Sequence, residues 1–275
     1  MGAWGLSGVL AKKTAMPGMA VAAYRLCLGA LVILPILYAS GRRLTWRTLR
    51  ISFWGGLFLA LDIVLFFTAV KETTVANATI IGALQPVIVM LLAPITGERV
   101  ARRAQVWAAV GLVGTALVIF GAAGLPQWSA RGDGLAFLTL GAWTSYFFAS
   151  KRARGKLTTV EYTTSTALIS AVIATPIAVV SGTDLSWPTW QSWIYLAIMA
   201  VVAGIGGHFL MSYALPHLPL WLSSTMTLSI PVISTAAAAL WLGESLAVVQ
   251  AVGMAIVLVA LGFAVLTPRG PEPVG

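Results

Sequence analysis

The sequence predicts an all-α integral membrane protein of ten transmembrane helices, arranged as two inverted-topology five-helix repeats with both termini cytoplasmic. Three observations predict it. The 275 residues are 59% hydrophobic and 9% charged, with a mean hydropathy of +0.92, against roughly 45–50% apolar and about 25% charged in a soluble domain. Apolar runs of about 18 to 24 residues recur along the chain, the length a helix needs to cross roughly 30 Å of hydrocarbon. The ten-residue alternation of a membrane barrel is absent, so these spans are helical. Landmarks also return in the same order in the two halves of the chain.

Apolar runs between charged or Pro/Gly punctuation place the helices in order. The first, 1–12, carries the string GAWGLSGVLAKK. The second, 18–39, follows the Pro17-Gly18 start and holds Arg25 and the single cysteine, Cys27, expected to pack; the third, 49–70, holds Asp62 among Phe58, Phe66 and Phe67. The fourth, 74–95, contains Pro86, and the fifth, 104–123, contains AAVG. The sixth, 133–150, carries GAWTSYFFASKR, and the seventh spans 160–181. The eighth, 191–213, holds His208; the ninth, 219–242, holds Pro231; the tenth, 246–266, opens on QAVG. No cleavable leader is expected, and the tail 267–275 is Pro/Gly-rich and expected to be unordered. Eleven residues of the first helix rise only about 17 Å, so either the natural start lies upstream or this helix is a half-span.

Domain organisation follows from the repeat. Ala69 and Ala214, and Pro86 and Pro231, stand at the same offset of 145 residues, and Gly97-Glu98 is echoed by Gly243-Glu244. Residues 1–123 and 133–266 therefore read as two five-helix units, and an odd number of helices forces the second unit to enter upside down. Loop charge sets the orientation. Twelve of the 17 basic residues, from Arg42 and Arg43 through Arg99 and Lys151 to Arg269, fall in the loops that are cytoplasmic if the N-terminus is inside. The opposite loops hold only Lys12, Lys13, Lys71 and Arg131. Trp46, Trp107, Trp128, Trp187, Trp190 and Trp241 stand near span ends, where amphipathic rings favour the interface.

These residues resemble the drug/metabolite transporter superfamily and its EamA-type carriers. The likeness is carried by Trp4-Gly5, Tyr24-Arg25, the Phe66 to Val70 segment, Pro86 and Gly97-Glu98-Arg99, with counterparts in Tyr213-Ala214-Leu215, Pro231 and Gly243-Glu244. It covers essentially the whole chain, and the closest kind is the YddG-type bacterial amino-acid exporter. The resemblance implies ten helices around a central cavity, export of amino acids or related metabolites, and the multi-pass setting of a bacterial inner membrane. A multidrug or other-metabolite exporter of the same fold, and a non-transporting scaffold, are the alternatives.

Ionisable groups inside a bilayer are costly and usually face a water-filled cavity or a partner. Asp62, His208 and Arg25 lie well inside spans. The repeat offset maps Asp62 onto Gly207, next to His208, so the acid and the imidazole are expected at similar depth. Asp62 either attracts a substrate ammonium or exchanges a proton, with His208 tuning it, or each makes a structural hydrogen bond. Arg25 either meets a substrate carboxylate or is a snorkelling or helix-bridging arginine close to the outer surface. Pro86 and Pro231 each free a carbonyl four residues earlier and mark hinges in the cavity wall. Asn77, Gln85 and Thr227 offer uncharged hydrogen-bonding groups, and Phe66, Trp143, Tyr146 and Tyr213 are the aromatics expected near the substrate. Glu98 and Glu244 are expected to cap the following helix or pair with a loop cation such as Arg102. Gly111, Gly114 and Gly253 are expected to be close-packing sites.

The sequence carries no HExxH, no GxSxG and no phosphate-binding loop, so neither an enzyme nor a nucleotide-driven pump is expected, nor is any cofactor or metal. The net charge of +9 resides in short loops and reads as topology rather than nucleic-acid binding. The expected partners are a small-molecule substrate, the lipid bilayer and protons as a candidate coupling ion, with the chain acting as a monomer.

Overall fold

Every described secondary-structure element is helical, as a backbone in hydrocarbon requires, since no water is there to satisfy its polar groups. The computed structural model describes residues 4–123, 129–153, 155–242 and 245–267. Thirteen α-helical segments run in order among them: α1 (Gly5–Lys13), α2 (Gly18–Ala39), α3 (Trp46–Glu72), α4 (Val75–Gly82), α5 (Gln85–Leu92), α6 (Arg102–Ala123), α7 (Ala130–Arg152), α8 (Thr159–Val180), α9 (Trp190–Ile198), α10 (His208–Ala214), α11 (Leu220–Thr225), α12 (Ser229–Leu242) and α13 (Val248–Leu266). Among the expected features, residues 1–3, Trp128, Arg154, Gly243-Glu244, the side chain of Trp241 and the tail from residue 268 lie outside the described residues.

Among the described residues, seven helical stretches are long and apolar enough to cross a membrane: Gly18–Ala39, Trp46–Glu72, Val75–Ile95, Arg102–Gly121, Thr159–Val180, Trp190–His217 and Val248–Leu266. The other three predicted helices differ for separate reasons. α1 has nine residues. α7 has 23, but buried Thr139, Thr144, Tyr146 and Ser150 stand where a lipid-facing span would carry aliphatic side chains, Tyr146 beside His208 of α10 and Ser150 beside Tyr162 of α8. The ninth predicted helix is divided between α11 and α12 by a 3-10 turn over Met226–Leu228.

Caps move several boundaries outward from the apolar runs. Thr45 accepts from the Thr48 N–H and starts α3 at Trp46, three residues before the apolar run. Ser129 accepts from the Gly132 N–H while the Asp133 carboxylate takes the Ser129 N–H, so α7 begins at Ala130. Thr158 and Glu161 form a capping box at the head of α8. The two proline interruptions have a common cause. α4 ends at Gly82 and α5 begins at Gln85 with Pro86 in its first turn, and the Met226–Leu228 turn precedes Pro231. In each case the missing proline N–H falls opposite the interruption.

Packing is tightest where glycines remove side chains. Gly114 of α6 and Gly253 of α13 lie backbone to backbone, so that a methyl built on Gly114 would stand 2.9 Å from the Gly253 carbonyl oxygen. Phe67, Tyr146, Phe147 and Leu196 are fully buried in the main core between α2, α3, α7, α8 and α9. Trp46, Trp187 and Trp190 are exposed, and Trp107 stacks on Phe263 at 4.4 Å.

The bundle has two chemically different ends. One is basic: Arg42 pairs with Glu161, Arg47 donates to the Lys156 carbonyl, and Lys151 pairs with Glu98. At the other, Lys12 donates to the Thr73 carbonyl, Lys71 to the Thr14 carbonyl, and Arg131 pairs with Glu72. Lys12 therefore has a structural task, closing the end of α3, that its position in the repeated string did not reveal.

Candidate functional site

A cavity of about 400 Å³ occupies the half of the bundle away from the basic end. Its walls come from Ser7 and Gly8 of α1, Arg25 of α2, Asp62 and Phe66 of α3, the α4 segment, Trp143 of α7, His208 of α10 and Ser234 of α12. Most of the surface is apolar or aromatic. The two charged side chains on it have opposite sign.

Arg25 is 3% exposed and lines the cavity, and its bond to the Met199 carbonyl is the helix-bridging contact expected as one alternative. Seven residues into α2 it points across the bundle, where Nε donates to the Met199 carbonyl at 3.3 Å and the guanidinium lies 5.3 Å from the Phe67 ring centre. The carbonyl is available because Met199–Gly207 is a π-helical stretch, whose widened turn aims carbonyls sideways. A second carbonyl of this stretch, Ala203, accepts from the Trp4 indole at 2.8 Å, and Gly207 leaves the space that the indole fills. The π stretch thus anchors two cavity walls at once.

Asp62 is buried and faces the cavity, close enough to Arg25 for their charges to interact. Among the described residues its carboxylate accepts no hydrogen bond and forms no direct ion pair, so the structural hydrogen bond weighed for it is not made. An uncompensated carboxylate in a membrane interior is costly, by about 2.5–3.5 kcal/mol on insertion scales at a helix centre. Its retention on a cavity wall calls for a partner that arrives from the cavity.

His208 lines the same wall, with Trp4 at 5.1 Å and Trp143 at 6.2 Å between ring centres. Its Nδ1 and the Tyr146 hydroxyl are 3.3 Å apart. The structure therefore brings Asp62, His208, Arg25, Phe66, Trp143 and Thr227 to one cavity, with Pro231 beside them. The remaining expected residues are placed elsewhere. Tyr146 is fully buried behind the wall. Tyr213 is 59% exposed against His217, because five residues on from His208 turns it to the far side of α10. Asn77 donates to Asp133 at 3.2 Å, off the cavity. Gln85 is fully buried and accepts from Thr227 at 3.4 Å, joining the two proline-interrupted helices close to their interruptions. Pro86 is buried with it.

Several contributors were not legible as site residues. Asp133, 6% exposed, gathers the Thr73 hydroxyl, the Asn77 amide and the Ser129 N–H and fixes α4 against α7. Its signal was the Ser-x-x-x-Asp spacing at the head of a helix. Glu98 does not pair with Arg102. It accepts the Leu220 N–H at 2.8 Å and pairs with Lys151 at 3.3 Å. Lys151 in turn donates to the Leu218 carbonyl at 2.6 Å. This clasp seats α11, all six residues of which are buried, in the basic half of the bundle.

A helical bundle with membrane-length apolar spans around a solute-sized cavity defines a multi-pass membrane transporter of small molecules. The chain belongs to the EamA-like transporter family, whose model matches residues 1–120 and 130–266. One similar solved structure, a crystal structure of a protein, superimposes with a TM-score of 0.82 at 20% identity, covering 96% of this chain and 93% of the other. At that identity the likeness concerns the fold. No curated protein matches the chain.

Proposed function

We propose that this chain is a secondary transporter of the bacterial inner membrane that exports amino acids, foremost those with apolar or aromatic side chains, by alternating access. The observation that carries this reading is the pair of opposite charges, Arg25 and Asp62, on the wall of an otherwise apolar cavity. A zwitterion presents the complementary pair: its ammonium approaches Asp62 and its carboxylate approaches the Arg25 fork. Its side chain is left against Trp4, Phe66 and Trp143. The volume of about 400 Å³ falls in the usual range for small-molecule sites.

Alternating access is supported by the asymmetry of the bundle. The cavity lies towards one end, and the Glu98–Lys151 clasp and buried α11 fill the other. In this reading residues 1–123 and 133–266 are inverted repeats, both termini are cytoplasmic, and the basic end faces the cytoplasm as loop charge requires. Release of the clasp, with bending at the interruptions before Pro86 and Pro231, opens that end. A substrate drives the exchange only through different affinities for the two states.

The test is counterflow in proteoliposomes with labelled amino acids, nucleosides and cationic drugs. Uptake of apolar and aromatic amino acids, competed by unlabelled zwitterions, supports the reading. Uptake of cationic drugs or nucleosides alone redirects the substrate assignment, and no flux with any of them removes the carrier reading.

A further inference from the structure

We propose that His208, Tyr146, Ser150 and Tyr162 form a relay that carries protons between the cavity and the basic end of the bundle, giving the chain a proton-translocating activity. Two links are direct: the Tyr146 hydroxyl lies 3.3 Å from His208 Nδ1, and the Ser150 and Tyr162 hydroxyls are 2.8 Å apart. Tyr146 and Ser150 are one turn apart on the same face of α7, about 6 Å along its axis. Tyr162 stands in the first turn of α8, next to Glu161 and its partner Arg42 at the basic end. The four groups therefore run in file through the half of the bundle that α11 seals.

Three features set this file apart from ordinary buried hydroxyls. Thr166 and Ser170, on the same α8, donate to carbonyls of their own helix, which is how most such groups are satisfied in a membrane helix. Ser150 and Tyr162 bond to each other across two helices instead. The Thr163 hydroxyl, next in sequence to Tyr162, is buried without a partner, as are several other hydroxyls among the described residues. Thr163 also borders a second cavity, of about 30 Å³, shared with Arg25 and His208, enough for one or two waters. Finally, Gly55 of α3 has no side chain where the Tyr162 hydroxyl sits, and a methyl there would collide with it.

The transfer balances without any co-reactant beyond water. A hydronium at the basic end gives a proton to the Tyr162 oxygen, leaving water, as Tyr162 passes its own to Ser150. Ser150 passes one to Tyr146, directly or through one water, and Tyr146 passes one to His208 Nδ1. The resulting imidazolium releases its Nε2 proton to a cavity water, the hydroxyls rotate back, and the imidazole returns from its Nδ1–H to its Nε2–H tautomer by exchange with water before the next transfer. Asp62 of α3, Arg25 of α2 and Tyr162 of α8 are the ionisable groups that face this His208–Tyr146 centre.

Coupling of this flux to substrate rests on the carrier reading, whereas the conduction itself does not. Proteoliposomes holding an entrapped pH dye, with no amino acid present, are driven by a valinomycin-clamped potassium gradient. Flux above that of protein-free vesicles is expected. It should fall at least tenfold in Tyr146→Phe and in Tyr162→Phe, and stay unchanged in Tyr213→Phe, whose ring lies outside the relay. Ser150→Ala is the second variant should a phenylalanine variant misfold. Wild-type flux no greater than that of protein-free vesicles, or equal flux in wild type and all folded relay variants, overturns the proposal. Counterflow on the same vesicles separates the two readings. Substrate exchange without proton flux removes the relay alone, and proton flux without exchange removes the carrier reading alone.

Discussion

The two halves of the bundle solve opposite problems with the same helices. In the half away from the basic end, α2, α3 and α7 line a cavity of about 400 Å³, and among the described residues the Asp62 carboxylate there has no hydrogen bond or direct ion pair. In the basic half α7 meets α8 through the Ser150–Tyr162 hydroxyl pair. There the Glu98 carboxylate is saturated by the Leu220 N–H and Lys151, and α11 fills the space. Glu98 is satisfied by groups of its own chain, whereas under the proposed function Asp62 is the acid left for a ligand. The difference between Asp62 and Glu98 is thus a matter of partners rather than of residue type.

That contrast can be broken from either side. The largest effect is expected from Arg25→Leu, which leaves the buried Asp62 without its nearby counter-charge and frees the Met199 carbonyl. Loss of the charge-assisted bond to the Met199 carbonyl costs about 1.5–3 kcal/mol, read as a lowered melting temperature in detergent, with partial recovery in the double variant with Asp62→Asn. Asp62→Asn alone should fold normally yet reduce amino-acid counterflow at least tenfold, equivalent to about 1.4 kcal/mol of lost binding. Unaltered exchange in this variant would return Asp62 to a passive role.

Smaller effects sharpen the closed half. With Cys27→Ala as background, Ser223→Cys places a thiol in buried α11. Adding Lys151→Met should raise its labelling by a membrane-impermeant reagent at the basic end by about tenfold, a shift of ~1.4 kcal/mol towards opening. Labelling that stays slow would show that the clasp does not hold this end. Gln85→Leu, which removes the bond to Thr227, is expected to cost about 1 kcal/mol in detergent unfolding. Tyr213→Ala, on the exposed face of α10, should stay within about 0.5 kcal/mol of wild type in stability and leave counterflow unchanged.

Helices that face lipid on one side were legible as runs of apolar residues, because hydrocarbon imposes a length and a composition that the sequence must show. α7 was legible for a different reason, its likeness to the start of the chain, since its buried polar residues lower its hydropathy. Asp62 and His208 stood out by the cost of ionisable groups in a span, and Phe66 and Trp143 by their place near the repeat landmarks. The clasp was hidden because Glu98 and Lys151 are brought together by the return of α11, not by any local pattern. Tyr213 misled for the same reason in reverse: its landmark matched, but its rotation about α10 turns it outward. The π stretch has a faint trace in its glycines, Gly204, Gly206 and Gly207, yet its effect on Arg25 and Trp4 depends on contacts 174 and 199 residues apart.

The central claim, that Arg25 and Asp62 read the two charges of one zwitterion, is tested most directly by competition in counterflow. Phenylalanine, its methyl ester and its deaminated acid are compared as competitors on wild type, Arg25→Lys and Asp62→Asn. The account predicts that wild type prefers phenylalanine over each analogue at least tenfold. Arg25→Lys should narrow the preference over the ester, and Asp62→Asn should abolish the preference over the deaminated acid. Equal competition by all three compounds on wild type, or a preference unchanged in both variants, would contradict it.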